Sequence, residues 1–200
     1  MKVLIACEFS ATVREAFRKR GHDAWSCDLL PTIGPPDYHI QRDVFEAIGL
    51  AKWDLMIAHP PCTYLTSSGL HWNKRNPERA KLTEEAIEFV MALSLAPIDK
   101  ITIENPIGCL STRWRKPDQI IQPYLFGEDA SKATCLWLKN LPKLCPTEYV
   151  EPRIVNGKKR WANQTDSGQN KLGPSPNRWA ERSKTYQGIA DAMAEQWGIQ

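Results

Sequence analysis

The sequence predicts an α/β protein built on a mostly parallel, doubly wound sheet, and three observations carry that prediction. Short apolar runs alternate with stretches of helical periodicity along most of the 200 residues. The first run, Lys2 to Cys7, is almost continuously apolar, as in a strand buried on both faces. Polar or reactive residues stand directly after the strand-like runs (Glu8, Asp28, Cys62 and Glu104), where open parallel sheets bind their ligands.

Taken in order, Lys2 to Cys7 is followed by a helix over Ala11 to Arg20. That helix has Val13, Ala16 and Phe17 on its apolar side and stops at Gly21. A second strand covers Asp23 to Cys27. After a Pro/Gly loop from Pro31 to Pro36 come a short strand or turn near His39 to Asp43 and a helix over Val44 to Ala51. Trp53 to Ala58 is a further buried strand and runs into His59-Pro60-Pro61-Cys62. A helix follows over about Glu78 to Leu95, then strands at Lys100 to Ile103 and Ala133 to Leu138, and an amphipathic helix over Lys184 to Trp197. The expected organisation is one domain over 1–200, with an irregular basic segment at about 141–182 and the helix at 184–197 returning to the core.

Composition narrows the function classes. Hydrophobic residues make up 42% and charged residues 24%, a globular balance, and no apolar run approaches the ~20 residues that cross a bilayer. The six cysteines form no C-x-x-C pair, so neither a zinc ribbon nor a redox dithiol is indicated, and a reducing cytoplasm is the expected setting. The net charge is only +3, yet Glu151 to Lys184 holds eight basic residues against three acids. A basic, Gly/Asn/Pro-rich segment of this kind suits a phosphate backbone, with Arg153, Lys158, Lys159 and Arg160 as the expected grips. A solvated loop with incidental charge is an equally good account of it.

The strand ends carry the chemistry. Asp28 stands where nucleoside-binding folds present an acid to ribose hydroxyls, although a capping aspartate looks the same. The first turn, Cys7-Glu8-Phe9-Ser10-Ala11, lacks the glycines that cradle a pyrophosphate. A cofactor without a pyrophosphate, such as S-adenosylmethionine, fits it better. Pro60 and Pro61 fix φ and stop the strand, which holds Cys62 on a rigid loop as a candidate nucleophile, its pKa expected to be lowered by nearby cations. Glu104 supplies a complementary carboxyl. Cytosine C6 is a poor electrophile until N3 is protonated or hydrogen-bonded, and partial burial of Glu104 is expected to raise its pKa toward the useful range.

The motifs resemble those of the C5-cytosine DNA methyltransferases. Trp53-Asp54-Leu55-Met56-Ile57-Ala58-His59-Pro60-Pro61-Cys62 with Ser67-Ser68-Gly69 is similar to that family's strand, Pro-Cys loop and downstream Ser/Gly, and Ile101-Thr102-Ile103-Glu104-Asn105-Pro106 to its Glu-Asn-Val strand. Arg42-Asp43-Val44 resembles the Gly-Asp-Ile segment beside the cofactor adenine, and Tyr186 to Met193 resembles the closing motif. The resemblance implies a Rossmann-like methyltransferase fold, S-adenosylmethionine as methyl donor, and cytosine in double- or single-stranded DNA as substrate. It implies Cys62 as nucleophile, Glu104 at N3, and Lys132 as the cation replacing a Gln-x-Arg-x-Arg strand. Donor contacts would come from Glu8, Phe9, Ser10, Asp28, Leu29, Asp43, Val44, His59, Pro60, Ala190 and Asp191, and DNA contacts would include Ser67 and Ser68. The short recognition segment matches compact, phage-type members, acting as monomers in the host cytoplasm with no metal and no membrane. Other readings are methyl transfer to an exocyclic amine, a free nucleotide as substrate, or a non-catalytic nucleic-acid or partner-binding module on the same fold.

Overall fold

The computed structural model describes residues 1–199. Its first half follows the alternation read from the sequence: β1 (Lys2–Ala6), α1 (Thr12–Lys19), β2 (Asp23–Asp28), β3 (His39–Gln41), α2 (Val44–Gly49), β4 (Leu55–Ala58), α3 (Ser67–Leu70) and α4 (Pro77–Ser94). The second half contains β5 (Lys100–Pro106), α5 (Leu110–Arg113), β6 (Gln119–Ile121), β7 (Thr134–Lys139), β8 (Arg153–Val155), β9 (Lys158–Arg160), α6 (Arg178–Ser183) and α7 (Gln187–Trp197). Seven strands form one sheet in the order β3-β2-β1-β4-β5-β7-β6. β1 to β5 are parallel, and β7 runs antiparallel to both β5 and β6. The reversal follows from chain length: the link from Ile121 to Thr134 carries no crossover helix that would return the chain for a parallel strand.

The alternation of side chains along β1 divides the core into two layers. Val3 and Ile5, with Leu55 and Ile57 of β4, meet Val13, Ala16 and Phe17 of α1 and Ile189, Met193 and Trp197 of α7. Leu4, Ala6, Met56 and Ala58 face the other way, onto Val44 and Ala47 of α2 and Ile87, Val90 and Leu93 of α4. Both faces of the parallel strands are therefore covered, as their near-continuous apolar runs require. None of the described helices is long and apolar enough to cross a membrane.

Two expectations need correction. The last helix starts at Gln187, not Lys184, because Lys184 and Tyr186 are extended. The 141–182 segment is less irregular than expected. It contains the hairpin β8–β9, turned by Asn156 (φ 50°) and Gly157 (φ 74°), and it ends in most of α6. Asn-Gly is the residue pair that accepts two consecutive left-handed positions.

The loop after β1 has the backbone of a glycine-rich turn without glycines. Cys7 (φ 58°) and Ala11 (φ 63°) are both left-handed, at a cost of roughly 1–2 kcal/mol each. Glu8 stabilises the turn. Its carboxylate accepts from the backbone N–H of Val13 (2.7 Å) and Arg14 (3.2 Å) and from the Ser10 hydroxyl (3.1 Å), supplying the N-terminal cap that Ala11 lacks. A Cβ at Gly34 would lie 2.6 Å from the Ala11 methyl, so the loop after β2 packs directly on this turn. Buried Arg14, held by Glu15 of its own helix (2.9 Å) and the Ser26 hydroxyl of β2 (3.1 Å), fastens that second loop by donating to the Pro35 carbonyl (2.7 Å).

Candidate active site

Strand register lines up the candidate residues. Cys27, Ala6, Ala58 and Ile103 are successive partners across β2, β1, β4 and β5, so the next residues (Asp28, Cys7, His59 and Glu104) form a row along the carboxyl edge of the sheet. His59 continues the β4 ladder by donating its backbone N–H to the Ala6 carbonyl (2.9 Å). Its ring then reaches the neighbouring strand, where Nδ1 lies 3.0 Å from Glu104 Oε2. The sequence places His59 among the donor-cofactor residues; its direct partner is the catalytic carboxyl candidate.

Cys62 is held in relation to Glu104 by two sets of contacts. The buried Asn105 side chain donates to the Pro60 carbonyl at 2.8 Å, tying the Pro-Pro turn to β5. Beyond the turn, Leu65 and Thr66 donate their N–H groups to the Cys62 carbonyl, and Cys109 N–H donates to the Leu65 carbonyl (2.8 Å). Thr66 and Gly108 form an antiparallel bridge. A Cβ at Gly108 would sit 1.9 Å from the Leu65 oxygen, so only glycine allows the two segments to lie this close. Sequence reasoning misses Asn105 as a functional residue. There it stands only as the middle residue of the Glu104-Asn105-Pro106 motif, a polar amide in an apolar strand with no role of its own.

Electrostatics at the pair run opposite to the expectations. Burial pushes the Cys62 thiol up, and the Glu104 charge adds to the rise; Lys132 and Arg182 oppose it without reversing it. For Glu104, burial raises the pKa, but the His59 hydrogen bond and charge, Lys132 and Thr134 together outweigh it and hold the carboxyl below its ordinary value. The resting pair is a thiol beside a carboxylate. Cys7 is a less suitable nucleophile still, since burial and then the nearby Asp28 raise it strongly.

The other candidates divide into those at the cleft and those absorbed by the fold. Asp28 accepts from Leu30 N–H (2.9 Å) through one oxygen, and Leu29 beside it is 71% exposed. Asp43 caps α2 through Phe45 N–H (2.8 Å), and Val44 packs in the core. Glu8 is committed to α1, as described above. Ala190 is fully enclosed in the α1–α7 layer, and Asp191 accepts from Gln187 at the surface of α7. Ser67 and Ser68 are exposed at the start of α3. Lys132 Nζ donates to the Arg182 carbonyl (2.9 Å), with the Lys184 carbonyl at 3.5 Å. It thereby pins residues 182–184 over the cleft. Arg153 pairs with Asp166 and donates to the Gln164 carbonyl, and Arg160 donates to the Asp166 carbonyl, so both arginines fold the 164–168 loop. Lys158 and Lys159 are exposed beside the hairpin turn.

A cavity of about 40 Å³ lies at the carboxyl ends of β1 and β4, lined by Cys7, Glu8, Phe9, Ser10, His59, Ser183 and Thr185. Trp179 of α6 packs on Phe9 with ring centroids 5.6 Å apart. Ser183 and Thr185 are not among the sequence candidates, and nothing in their local sequence marks them. A larger open groove of about 580 Å³ lies at the opposite, amino end of the sheet, lined by Lys52, Asp54, Asp99 and Lys100 and remote from the row. Among the described residues, no group of His, Cys, Asp or Glu is arranged to hold a metal ion.

No family model matches the chain, and no curated protein is similar to it. Among solved structures it is similar to an Escherichia coli protein titled "putative DNA modification methyltransferase encoded within prophage". The TM-score is 0.50 at 14% identity, over 74% of this chain and 51% of that one, so this chain spans about half the length of its match. The likeness is one of fold, which in this chain is a seven-stranded, mostly parallel sheet with a reversed β7.

Proposed function

We propose that the protein transfers a methyl group from S-adenosylmethionine to C5 of cytosine in DNA, through a covalent adduct on Cys62. The observation that carries this reading is the joining of the Cys62 loop to β5 beside Glu104, by Asn105 and by the Thr66–Gly108 bridge. Such an arrangement presents a sulfur and a carboxyl to one planar base. Donor binding is supported by Asp28 at the β2 end, the exposed apolar Leu29 and Ile33 beside it, and the left-handed first turn. A 40 Å³ cavity has room for about one water (~30 Å³ each). Admission of a nucleoside therefore requires residues 183–185 to swing outward.

The bound donor supplies an electrophilic methyl group. Cys62 passes its thiol proton to the Glu104 carboxylate as the Sγ–C6 bond forms, and the carboxyl so protonated donates to N3, where the charge entering the ring is taken up. Once C5 carries the methyl group its proton passes to water, the Sγ–C6 pair returns to Cys62 as thiolate, N3 gives its proton back to Glu104, and aromaticity returns. A cytosine in duplex DNA must first leave the stack, at a cost of a few kcal/mol. Lys158 and Lys159 are exposed on the β8–β9 hairpin, which supports phosphate contact there.

Nucleoside mass spectrometry of DNA from cells expressing the protein tests the reading. The expected result is 5-methylcytosine, lost in Cys62→Ser together with trapping on 5-fluorocytosine DNA. A methylated exocyclic amine, or full activity in Cys62→Ser, overturns it.

A further inference from the structure

The main chain at Cys62 and directly after it is held at four successive carbonyls. The Cys62 carbonyl accepts from Leu65 N–H (3.0 Å) and Thr66 N–H (3.1 Å), which closes the turn on itself. The Leu65 carbonyl accepts from Cys109 N–H, beyond β5 (2.8 Å). The two carbonyls between them are served by α4. Thr63 accepts from Nη2 of the Arg79 guanidinium (3.0 Å), and Tyr64 accepts from the hydroxyl of buried Thr83 (3.1 Å). Arg79 reaches further: its Nε donates to the Gly69 carbonyl of α3 (3.3 Å), and its guanidinium lies over the Tyr64 ring, 4.9 Å from the centroid.

We infer that Arg79 is a positioning residue for Cys62: its guanidinium clamps the carbonyls of Thr63 and Gly69 and so sets where the sulfur stands relative to Glu104. Its placement argues against a role in its own helix. Arg79 lies in the first turn of α4, where a cation opposes the helix dipole, and the donors at Nε and Nη2 go to main-chain carbonyls, not to an acid. Nor does it act through charge on the thiol, which Lys132 and Arg182 do. The planar fork of a guanidinium can bond two carbonyls from one rigid group, which a lysine cannot. Asn105 and the Thr66–Gly108 bridge tie the Cys62 loop to β5, and Arg79 ties it to α4. The loop is thereby held between the two elements, as a nucleophile that must meet one ring carbon requires. The inference rests on the proposed reading of Cys62 as the nucleophile.

Two substitutions test the clamp from its two sides. Arg79→Met keeps the aliphatic stem and removes the donors. Gly69→Ala keeps Arg79 but places a methyl 2.5 Å from Nη2, and the flexible guanidinium must give way. Alanine is the better helix former, so Gly69→Ala separates lost positioning from lost folding. Trapping on 5-fluorocytosine DNA is followed at saturating S-adenosylmethionine and DNA, and the Kd for DNA is measured separately by fluorescence anisotropy. Both variants are expected to trap roughly 10- to 100-fold more slowly, the scale of a misplacement of up to about 1 Å, with Kd unchanged. Arg79→Lys, which reaches one carbonyl, is expected to lie between Arg79→Met and the wild type. Amide exchange at Leu65 and Thr66, whose N–H groups bond the Cys62 carbonyl, is expected to quicken in Arg79→Met and Gly69→Ala. If the wild type forms the adduct and both folded variants form it at the same rate, the proposal fails and the cytosine reading stands. Weaker DNA binding with an unchanged saturated rate makes Arg79 a DNA contact and also overturns the proposal. If the wild type forms no adduct, the reading of Cys62 fails and the proposal falls with it.

Discussion

Asn105 and Pro60 are 45 residues apart in the chain and are joined at 2.8 Å, amide to carbonyl, in the interior of the protein. The bond fixes the spacing of the two strand ends that carry Cys62 and Glu104. Asn105→Leu fills a similar volume and leaves the Pro60 carbonyl without its donor. It is expected to cost about 1–3 kcal/mol of stability and to slow trapping on 5-fluorocytosine DNA by at least about tenfold, the equivalent of some 1.4 kcal/mol in the barrier. Trapping at the wild-type rate in a folded variant would show that the turn does not depend on this bond.

Gly108 offers a steric version of the same experiment. A methyl at Gly108 would lie 1.9 Å from the Leu65 oxygen, so Gly108→Ala forces the Cys62 loop away from β5. Activity is expected to fall more steeply than thermal stability, since the displaced residues lie at the cleft rim. Equal kcat in the variant and the wild type, with an unchanged Tm, would refute the close approach.

The Cys62 thiol titrates above the ordinary value of 9.0, raised first by burial and then by Glu104, with Lys132 pulling it back. Alkylation by iodoacetamide, followed by peptide mass mapping, reads this directly. The midpoint for Cys62 is expected above pH 9.0 in the wild type, lower in Glu104→Gln and higher in Lys132→Met. A midpoint below that of a simple thiol would reverse the electrostatic picture.

Acid stability follows from Glu104. Its folded pKa lies below its ordinary value of 4.5, so the folded state prefers the carboxylate. The contribution is present above pH 4.5 and disappears as pH falls through the depressed folded value. Denaturant titrations should show stability declining below about pH 4.5, with a shallower decline in Glu104→Gln. Identical pH profiles would remove the His59–Glu104 pair as a source of stability.

Lys158 and Lys159 separate from Arg153 and Arg160 in the same hairpin. Replacing both lysines by alanine should reduce the slope of log binding constant against log salt by about 0.9 for each phosphate that is no longer neutralised, with the fold intact. Arg153→Ala is expected to loosen the 164–168 loop instead, seen as faster amide exchange there. An unchanged salt slope in the double lysine variant would move the DNA surface elsewhere.

Much of this architecture is legible in the sequence because buried parallel strands are written as apolar runs. Lys2–Ala6, Leu55–Ala58 and the start of β5 stand out, with reactive residues directly behind them. Strand direction is less accessible. Thr134–Lys139 reads as one more buried strand, and its reversal depends on how the chain reaches it. Asn156-Gly157 carries a local signal for a hairpin that charge composition obscures. The Cys62 and Glu104 motifs are visible, but the signs of their pKa shifts are not. Those depend on His59 and Lys132, whose neighbours are fixed only by sheet register and by residues 182–184. The role of Glu8 illustrates the same limit: an acid after a strand looks like a ligand until the helix it caps is in place.

Ala11 and Gly34 lie so close that only one of them can bear a methyl group. The two positions therefore cannot drift independently. Gly34→Ala alone is blocked, Ala11→Gly alone relieves a left-handed alanine, and only after that change does position 34 become open to a side chain. Descendants of this chain should vary at the two sites as a linked pair, with glycine exchanged from one loop to the other and never absent from both.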